Sequence, residues 1–416
     1  MSKPKSVSYN FPDSFKMTEL GPLPEEWEVV GFEECFLQQK LKVGKVKQQE
    51  FKKVGKYPIV DQGQQLIAGY WDEEGGIYKG ELPVIIFGDH TRIFKFINFP
   101  FICGADGTKI LLPNKSHFDS RFLFFALLHL EIPSRGYNRH YPLLKQKSVV
   151  HPPLPEQRAI AHVLSTLQRA VEAQDKILAA GRELKKSLMR HLFTYGPVPP
   201  DEAGRVPLKE TEIGMVPEDW EVVSFDKIVD IKGESVHPKD GTNLRYVGLE
   251  HIDSGDIRLK RCGQAEDVKS MKSKFNRSDI LYGKLRPYLD KAVLAEWEGM
   301  CSTDILVFSP YEIVEPSFVA YLVHTKPFVE YAIATTTGVN HPRTSWNALR
   351  RFSTNLPPLA AQHEIARLLS AVDKKIEAEE KRKAALQALF KTMLHLLMTG
   401  KLRVKDWEYE PKPMSN

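Results

Sequence analysis

The chain repeats itself, and this duplication restricts its possible folds more than any other feature. Residues 19–30 read ELGPLPEEWEVV and residues 212–223 read EIGMVPEDWEVV, identical at eight of twelve positions. A second pair lies further along. Residues 152–167 read PPLPEQRAIAHVLSTL, and residues 357–372 read PPLAAQHEIARLLSAV. Gln157 matches Gln362, Ile160 matches Ile365, and Leu164-Ser165 matches Leu369-Ser370. The same offset still holds where Lys186-Ser187-Leu188 meets Lys391-Thr392-Met393 and Thr194 meets Thr399. Between these shared segments, residues 31–150 and 224–355 have almost no alignable identity. The chain is therefore a repeated frame carrying two different inserts. Whatever both halves do alike belongs to the frame, and whatever distinguishes them belongs to the inserts.

The frame reads as helix. From Glu156 to Tyr195 there is no proline and a single glycine, Gly181. Ile160, Val163, Leu164, Leu167, Val171, Ile177, Leu184, Leu188 and Leu192 recur at helical spacing. Gly196 with Pro197, Pro199 and Pro200 ends the segment. The second copy runs from about Gln362 to Gly400. Each helix would be about 55 Å long, far beyond the usual three or four turns. Glu172, Asp175, Lys176, Lys374, Lys375, Glu377 and Glu379 fill the remaining faces. This pattern predicts two long helices packed as a coiled coil rather than each lying solvated on its own domain. The first helix feeds the second insert and the second starts from it. The pair is thus expected to be antiparallel, with a pseudo-two-fold axis and the two globular domains held apart.

With 42% hydrophobic residues in 416, the chain can bury real cores. Its net charge of +5 and pI near 8.7 lean toward an anionic partner. Cys35, Cys103, Cys262 and Cys301 form no metal-spaced pair and read as half-buried free thiols of a reducing compartment. The polar start Met1-Ser2-Lys3-Pro4-Lys5 is not a signal peptide. The most apolar run, RFLFFALLHL at 121–130, is too short to span a bilayer. A soluble, cytoplasmic protein is expected, with no membrane contact.

In the first insert, residues 84–87 read as a buried strand that breaks at Gly88 into a turn carrying His90, Thr91 and Arg92. Such groups suit base edges or phosphates, although a polar hairpin turn would look the same. The segment 134–141 packs Arg135, Asn138, Arg139 and His140 among two tyrosines, a density that favours nucleic acid. The second insert has a strand breaking at Gly283 into a loop with Lys284, Arg286, Tyr288 and Lys291. Asn340 and Arg343 lie in a segment just before the second helix, where the Arg135–His140 cluster lies in the first half.

These motifs in this order closely resemble the specificity subunit of Type I restriction–modification enzymes. They are a Trp-Glu start, Gly-Lys-Leu-Arg-Pro-Tyr-Leu at 283–289, Cys-Ser-Thr-Asp at 301–304, Gly-Val-Asn-His-Pro-Arg at 338–343 and a Leu-Pro-Pro-Leu helix entry at 356–359. The resemblance implies an α+β fold in which two mixed α/β target recognition domains are separated by two long antiparallel helices. It divides the chain into an N-terminal arm (1–26), recognition domain 1 (27–152), central helix (153–196), Pro-rich linker (197–216), recognition domain 2 (217–356), C-terminal helix (357–401) and tail (402–416). It further implies that each domain reads one half of a bipartite double-stranded DNA site. The helices would space the domains and dock two modification subunits that methylate adenine with S-adenosylmethionine. Restriction subunits, an ATP- and Mg-dependent endonuclease and translocase, would complete the complex, and this chain would bind none of those cofactors. One departure is visible: Pro155-Glu156 at the first helix entry becomes Ala360-Ala361 at the second, which predicts a weaker cap there.

Catalytic motifs are not evident. There is no phosphate-cradling Gly-x-x-x-x-Gly-Lys-Ser/Thr, no Asn/Asp-Pro-Pro-Tyr/Phe, and no His-x-x-x-His among thirteen histidines. Pro12-Asp13 with Glu50 and Lys52 fits a nuclease pattern only superficially. The two alternatives are a repeat scaffold that binds proteins only and a stand-alone DNA enzyme. Salt-dependent binding to random duplex DNA separates the scaffold from a DNA reader.

Overall fold

A computed structural model describes residues 14–38, 43–104, 107–136, 138–241 and 243–404. The Pro12-Asp13 pair, Tyr137 and the tail beyond 404 lie outside the described residues. Seven α-helices lie among them: α1 Ser120–His129, α2 Tyr141–Leu144, α3 Leu154–Tyr195, α4 Pro316–Leu322, α5 Lys326–Ala334, α6 Trp346–Leu349 and α7 Leu359–Met398. The chain divides into two compact units. Unit 1 comprises residues 1–175 and 381–416, and unit 2 comprises residues 176–380. Each unit thus holds one insert, the first half of its own long helix and the second half of the other.

Each unit opens with the same hairpin. In unit 1, Phe15–Thr18 pairs antiparallel with Gly21–Pro24; in unit 2, Leu208–Thr211 pairs with Gly214–Pro217. Gly21 and Gly214 take left-handed φ values of 97° and 105°, and in each turn a threonine hydroxyl, Thr18 or Thr211, donates to the glycine carbonyl at 2.7 Å. The repeat therefore begins within stretches expected as an arm and a linker. Trp27 and Trp220 follow, and both are buried. Strand Glu28–Gly31 then pairs with Ser148–His151, and Glu221–Ser224 with Ser353–Leu356. Each insert thus leaves and rejoins the frame on adjacent antiparallel strands, as an excursion from a closed base.

The inserts differ in sequence but share a plan. In unit 1, Val84–Gly88 is central between Thr108–Leu111 and Phe94–Ile97. In unit 2, Ile280–Gly283 is central between Ile305–Pro310 and Ala292–Leu294. A second sheet in each unit contains parallel pairing beside a cysteine: Val60 lies beside Cys103 in unit 1, where Lys45–Val46 also runs parallel to the same strand, and Val247 lies beside Cys301 in unit 2. Uninterrupted apolar runs such as VIIF suit central strands buried on both faces. Cys35, Cys103 and Cys301 are buried, and burial pushes their thiols up to about 12, about 11 and about 12. Cys262 is exposed, so half-burial describes none of the four well. The apolar run 121–130 is α1, packed in the core of unit 1. Among the described residues no helix is long and apolar enough to cross a membrane.

The long helices run antiparallel. In unit 2, Arg182 meets Glu380 at 3.1 Å and Lys185 meets Asp373 at 2.7 Å, so advancing along α3 means retreating along α7. In unit 1, Asp175 meets Lys383. The seam is less apolar than the periodicity predicts. Ile177, Leu184 and Leu389 are about half exposed, while Gln174, Asp373 and Glu379 are buried. Leu178 rather than Ile177 packs inward, and the buried polar residues take positions that a purely apolar stripe would fill. Each helix ends on a glycine held against a frame tryptophan: Gly196 against Trp220 and Gly400 against Pro24 and Trp27, with φ of 84° and 65°.

At the two helix entries Gln157 and Gln362 do the same work. Gln157 accepts from Asp119 N and donates to Pro152 O and His117 O. Gln362 accepts from Glu315 N and donates to Pro357 O. Glu156 is not a helix cap. Its buried carboxylate accepts from Trp27 Nε1 at 2.9 Å and from Arg403 Nε and Nη2 at 2.7 and 2.9 Å. Replacing it by Ala361 in the second half removes an ion pair rather than a cap.

Candidate nucleic-acid interface

In unit 2 the candidate loop is built at the end of the buried strand Ile280–Gly283. A Cβ on Gly283 would lie 2.8 Å from the Leu249 side chain and 3.1 Å from Lys291 O, so glycine admits the close approach of the returning chain. Lys284 N donates to Asp304 O at 3.0 Å, Thr344 N donates to Lys284 O at 3.1 Å, and Arg286 N donates to Pro342 O at 2.7 Å. Residues 284–286 are therefore held between the 302–304 turn and the 341–344 segment. Arg286 and Asp290 adopt left-handed φ of 52° and 48° on either side of the turn Pro287–Leu289. Non-glycine residues rarely adopt this conformation, and where they do the surrounding structure must over-determine them. His324 does so for Asp290, with Nδ1 2.7 Å from Oδ1.

The six residues named in this loop system have different standings. The Lys284 ammonium acts on Asp304 only through space, and neither it nor the exposed Asn340 side chain has a hydrogen-bond partner among the described residues. Tyr288 is 54% exposed. Arg286 Nε is buried with no hydrogen-bond partner. Lys291 Nζ is committed to Leu249 O at 2.6 Å. Arg343 forks onto Asp304 at 2.9 and 3.3 Å, and that guanidinium holds the Asp304 carboxyl below the usual carboxylate range. Arg343 therefore braces the loop in this conformation and also lies at its surface.

Unit 1 achieves the same convergence with other residues. The strand Val84–Gly88 delivers Asp89, whose buried carboxylate Oδ1 accepts from His140 N at 2.9 Å and Tyr141 N at 2.8 Å. His140 is fully buried. Its Nδ1 donates to Asp89 O at 2.9 Å and its Nε2 accepts from Arg135 N at 3.1 Å. It is thus the hub of the 134–141 segment, with both ring nitrogens committed inside the protein. Thr91, Arg92, Arg135, Asn138 and Arg139 are exposed. Arg92, at φ 63°, donates to Ile132 O at 2.9 Å, and Asn138 donates to Arg135 O at 2.6 Å. His90 N donates to Gln62 Oε1 at 3.1 Å, and Thr91 Oγ1 to Gln62 O at 2.5 Å.

The structure thus brings the 88–92 and 134–141 segments together in unit 1, and the 284–291 and 340–343 segments together in unit 2. Sequence reasoning missed the residues that lock them: Asp89, Asp304, Gln62 and the buried Lys95. Asp304 lay within the Cys-Ser-Thr-Asp motif, which was a usable signal. Gln62 and Lys95 offered none, because their partners are far away in sequence. Among the described residues no group of three or more His, Cys, Asp or Glu side chains is arranged to hold a metal ion.

Two mixed α/β inserts, each presenting interlocked polar and basic loops and each followed by a long helix, define a class. The model of the Type I restriction modification DNA specificity domain matches residues 24–180 and again 217–388, and the chain belongs to that family. A protein of Methanocaldococcus jannaschii with the provisional name type I restriction enzyme MjaX specificity subunit is 27% identical over 437 residues, covering 94% of this chain and 97% of its own. The type I restriction enzyme EcoDI specificity subunit of Escherichia coli is 29% identical over 161 residues, 38% of this chain and 36% of its own. In fold, the chain is similar to the S subunit of a Type I restriction-modification system from M. genitalium. That match has a TM-score of 0.57 at 16% identity, over 89% of this chain and 96% of that one.

Proposed function

We propose that this chain is the DNA sequence-recognition subunit of a Type I restriction–modification complex, each insert reading one half of a bipartite double-stranded site. The observation that carries this reading is the convergence just described. Both halves present arginine and amide side chains, joined in unit 2 by a lysine, from loops pinned by hydrogen bonds on matched sheets, while the loop sequences differ. Pinned loops hold side chains in register with a duplex at little entropic cost. Arg135, Arg139 and Lys284 supply charge for phosphates, while amides and forked guanidinium groups suit base edges.

In this reading the long helices space the two inserts and dock two modification subunits, with the half-exposed Ile177, Leu184 and Leu389 as apolar anchors on their surfaces. Those partners supply S-adenosylmethionine-dependent adenine methylation, and restriction subunits supply ATP- and Mg-dependent cleavage. This chain contributes recognition and carries no catalytic residue.

The test is binding to duplex DNA as a function of salt, with the modification subunits bound. The logarithm of affinity falls linearly with the logarithm of salt, with a slope near −0.9 per neutralised phosphate. Lys284→Ala and Arg139→Ala each reduce that slope by about one on all sequences alike. Affinity independent of salt would reject the reading in favour of a protein-only scaffold.

A further inference from the structure

A third loop of unit 1 is built into the same surface, and neither its charge nor its sequence draws attention to it. Residues 61–65 read DQGQQ. Lys95, only 5% exposed, sends its ammonium beneath them. Its Nζ donates to Asp61 O at 2.8 Å and to Gln65 O at 2.5 Å, with Asp61 Oδ1 at 3.4 Å. The two carbonyls are the first and last of the segment, so one buried cation ties the loop into a ring. Asp61 Oδ1 also accepts from Gly63 N at 2.8 Å. Gln62 turns inward and holds His90 N and Thr91 Oγ1 of the neighbouring 88–92 loop. Glycines let the pieces touch. A Cβ on Gly88 would lie 2.9 Å from Gln62 O, and one on Gly104 would lie 2.9 Å from Asp61 Cβ.

Burying an ammonium to fix a surface turn is a costly arrangement. What it fixes is the placement of Gln64 and Gln65, which are exposed and whose amides have no hydrogen-bond partner among the described residues. A rigid loop carrying two free carboxamides, and joined through Gln62 to the loop of Thr91 and Arg92, has the form of a reading head. A carboxamide offers a donor and an acceptor in one plane, which matches N7 and the N6 amino group of adenine in the major groove.

We propose that Gln64 and Gln65, presented by the 61–65 loop, read an A·T pair in the half-site recognised by unit 1. This rests on the DNA-recognition reading above. Lys95 and Gln62 are positioning residues, and Gln64 and Gln65 make the contact.

The experiment uses the full chain with its modification subunits, methylating a library in which every base of the wild-type site is varied. Gln64→Ala with Gln65→Ala lowers discrimination at one A·T pair about ten- to hundredfold. The other half-site and the salt slope stay as in the wild type. Gln64→Glu or Gln65→Glu moves the preference at that position toward cytosine, because a carboxylate accepts from the cytosine amino group and cannot donate to N7. An alanine pair that methylates the wild-type site with unchanged preference at every base overturns the proposal, as does uniform weakening on all sequences. The wild-type chain run in parallel separates the two levels. If it methylates a defined site, only the role of the glutamines has failed; if it shows no sequence preference, the DNA-recognition reading has failed with it.

Discussion

The two units solve one packing problem with opposite chemistry. Where the short helix of each insert meets the long helices, unit 1 sets Phe125 against Phe390, ring centroids 6.0 Å apart. The frame offset pairs Phe390 with Lys185 and Gln168 with Asp373. Phe125 and Tyr321 each lie six residues after the capping acids Asp119 and Glu315. In unit 2 these positions form an ionic cluster. Tyr321 donates to Asp373 at 2.7 Å, and Lys185 lies 2.7 Å from the same carboxylate and 5.5 Å over the tyrosine ring. Unit 1 has Gln168 there, donating to Glu172 while its Oε1 is buried without a partner. The frame thus fixes helix geometry, and the side chains at one junction can change character if the whole set changes together.

The comparison breaks most visibly if one member changes alone. Asp373→Ala leaves Lys185 nearly buried without its counter-charge and should cost about 3–5 kcal/mol in chemical denaturation. The triple change Lys185→Phe, Tyr321→Phe and Asp373→Gln copies the chemistry of unit 1 and should restore stability to within about 1–2 kcal/mol of wild type or exceed it. A triple variant as unstable as the single one would show that the two junctions are not equivalent. A smaller effect is expected in unit 1. Glu156→Ala removes charge-assisted hydrogen bonds from Arg403 and Trp27 and should cost about 2–3 kcal/mol. The natural Ala361 shows that the second half holds without them.

The smallest expected difference is in pH response. In unit 2 burial works to raise the Asp256 carboxyl, but hydrogen bonds from Arg258 and Lys260 outweigh it and hold the group well below the usual range. Glu380 is lowered against the same burial by Lys260 and Arg182. Depressed carboxyls contribute stability above about pH 4 and lose it as pH falls through their folded values. In unit 1 burial, reinforced by His395 and opposed by Glu131, lowers the His129 imidazole. The folded state then binds that proton less readily than the unfolded chain, so stability is lost as pH falls from about 6.5. Hydrogen exchange should show the α1 region of unit 1 loosening between pH 7.5 and 5.5 while unit 2 holds, with His129→Phe abolishing the difference. Equal loosening of both units would contradict these assignments.

The repeat, both long helices, the buried strands and their glycine breaks were legible because each depends on local pattern. Trp27 and Trp220 marked the frame because identity there is dense. The shared plan of the inserts was not legible, since buried sheets accept many apolar sequences and register depends on partners far away. Sequence could single out Lys284, Arg139 and Asn340, because charge and amide content are local, and the structure leaves Arg139 and Asn340 exposed and Lys284 partly so. It gave His140 the same standing as Arg139, although one is the buried hub and the other exposed. Only the pairing with Asp89, about fifty residues upstream, separates them.

The central claim is that the inserts read independently. Residues 31–150 should be exchanged for the matching insert of another family member, leaving the frame, the second insert and the long helices intact. Methylated adenines should then be mapped across a host genome that also carries the modification subunit. The account predicts a new sequence in one half of the recognised site, with the other half unchanged. A site altered in both halves, or in neither, would contradict it.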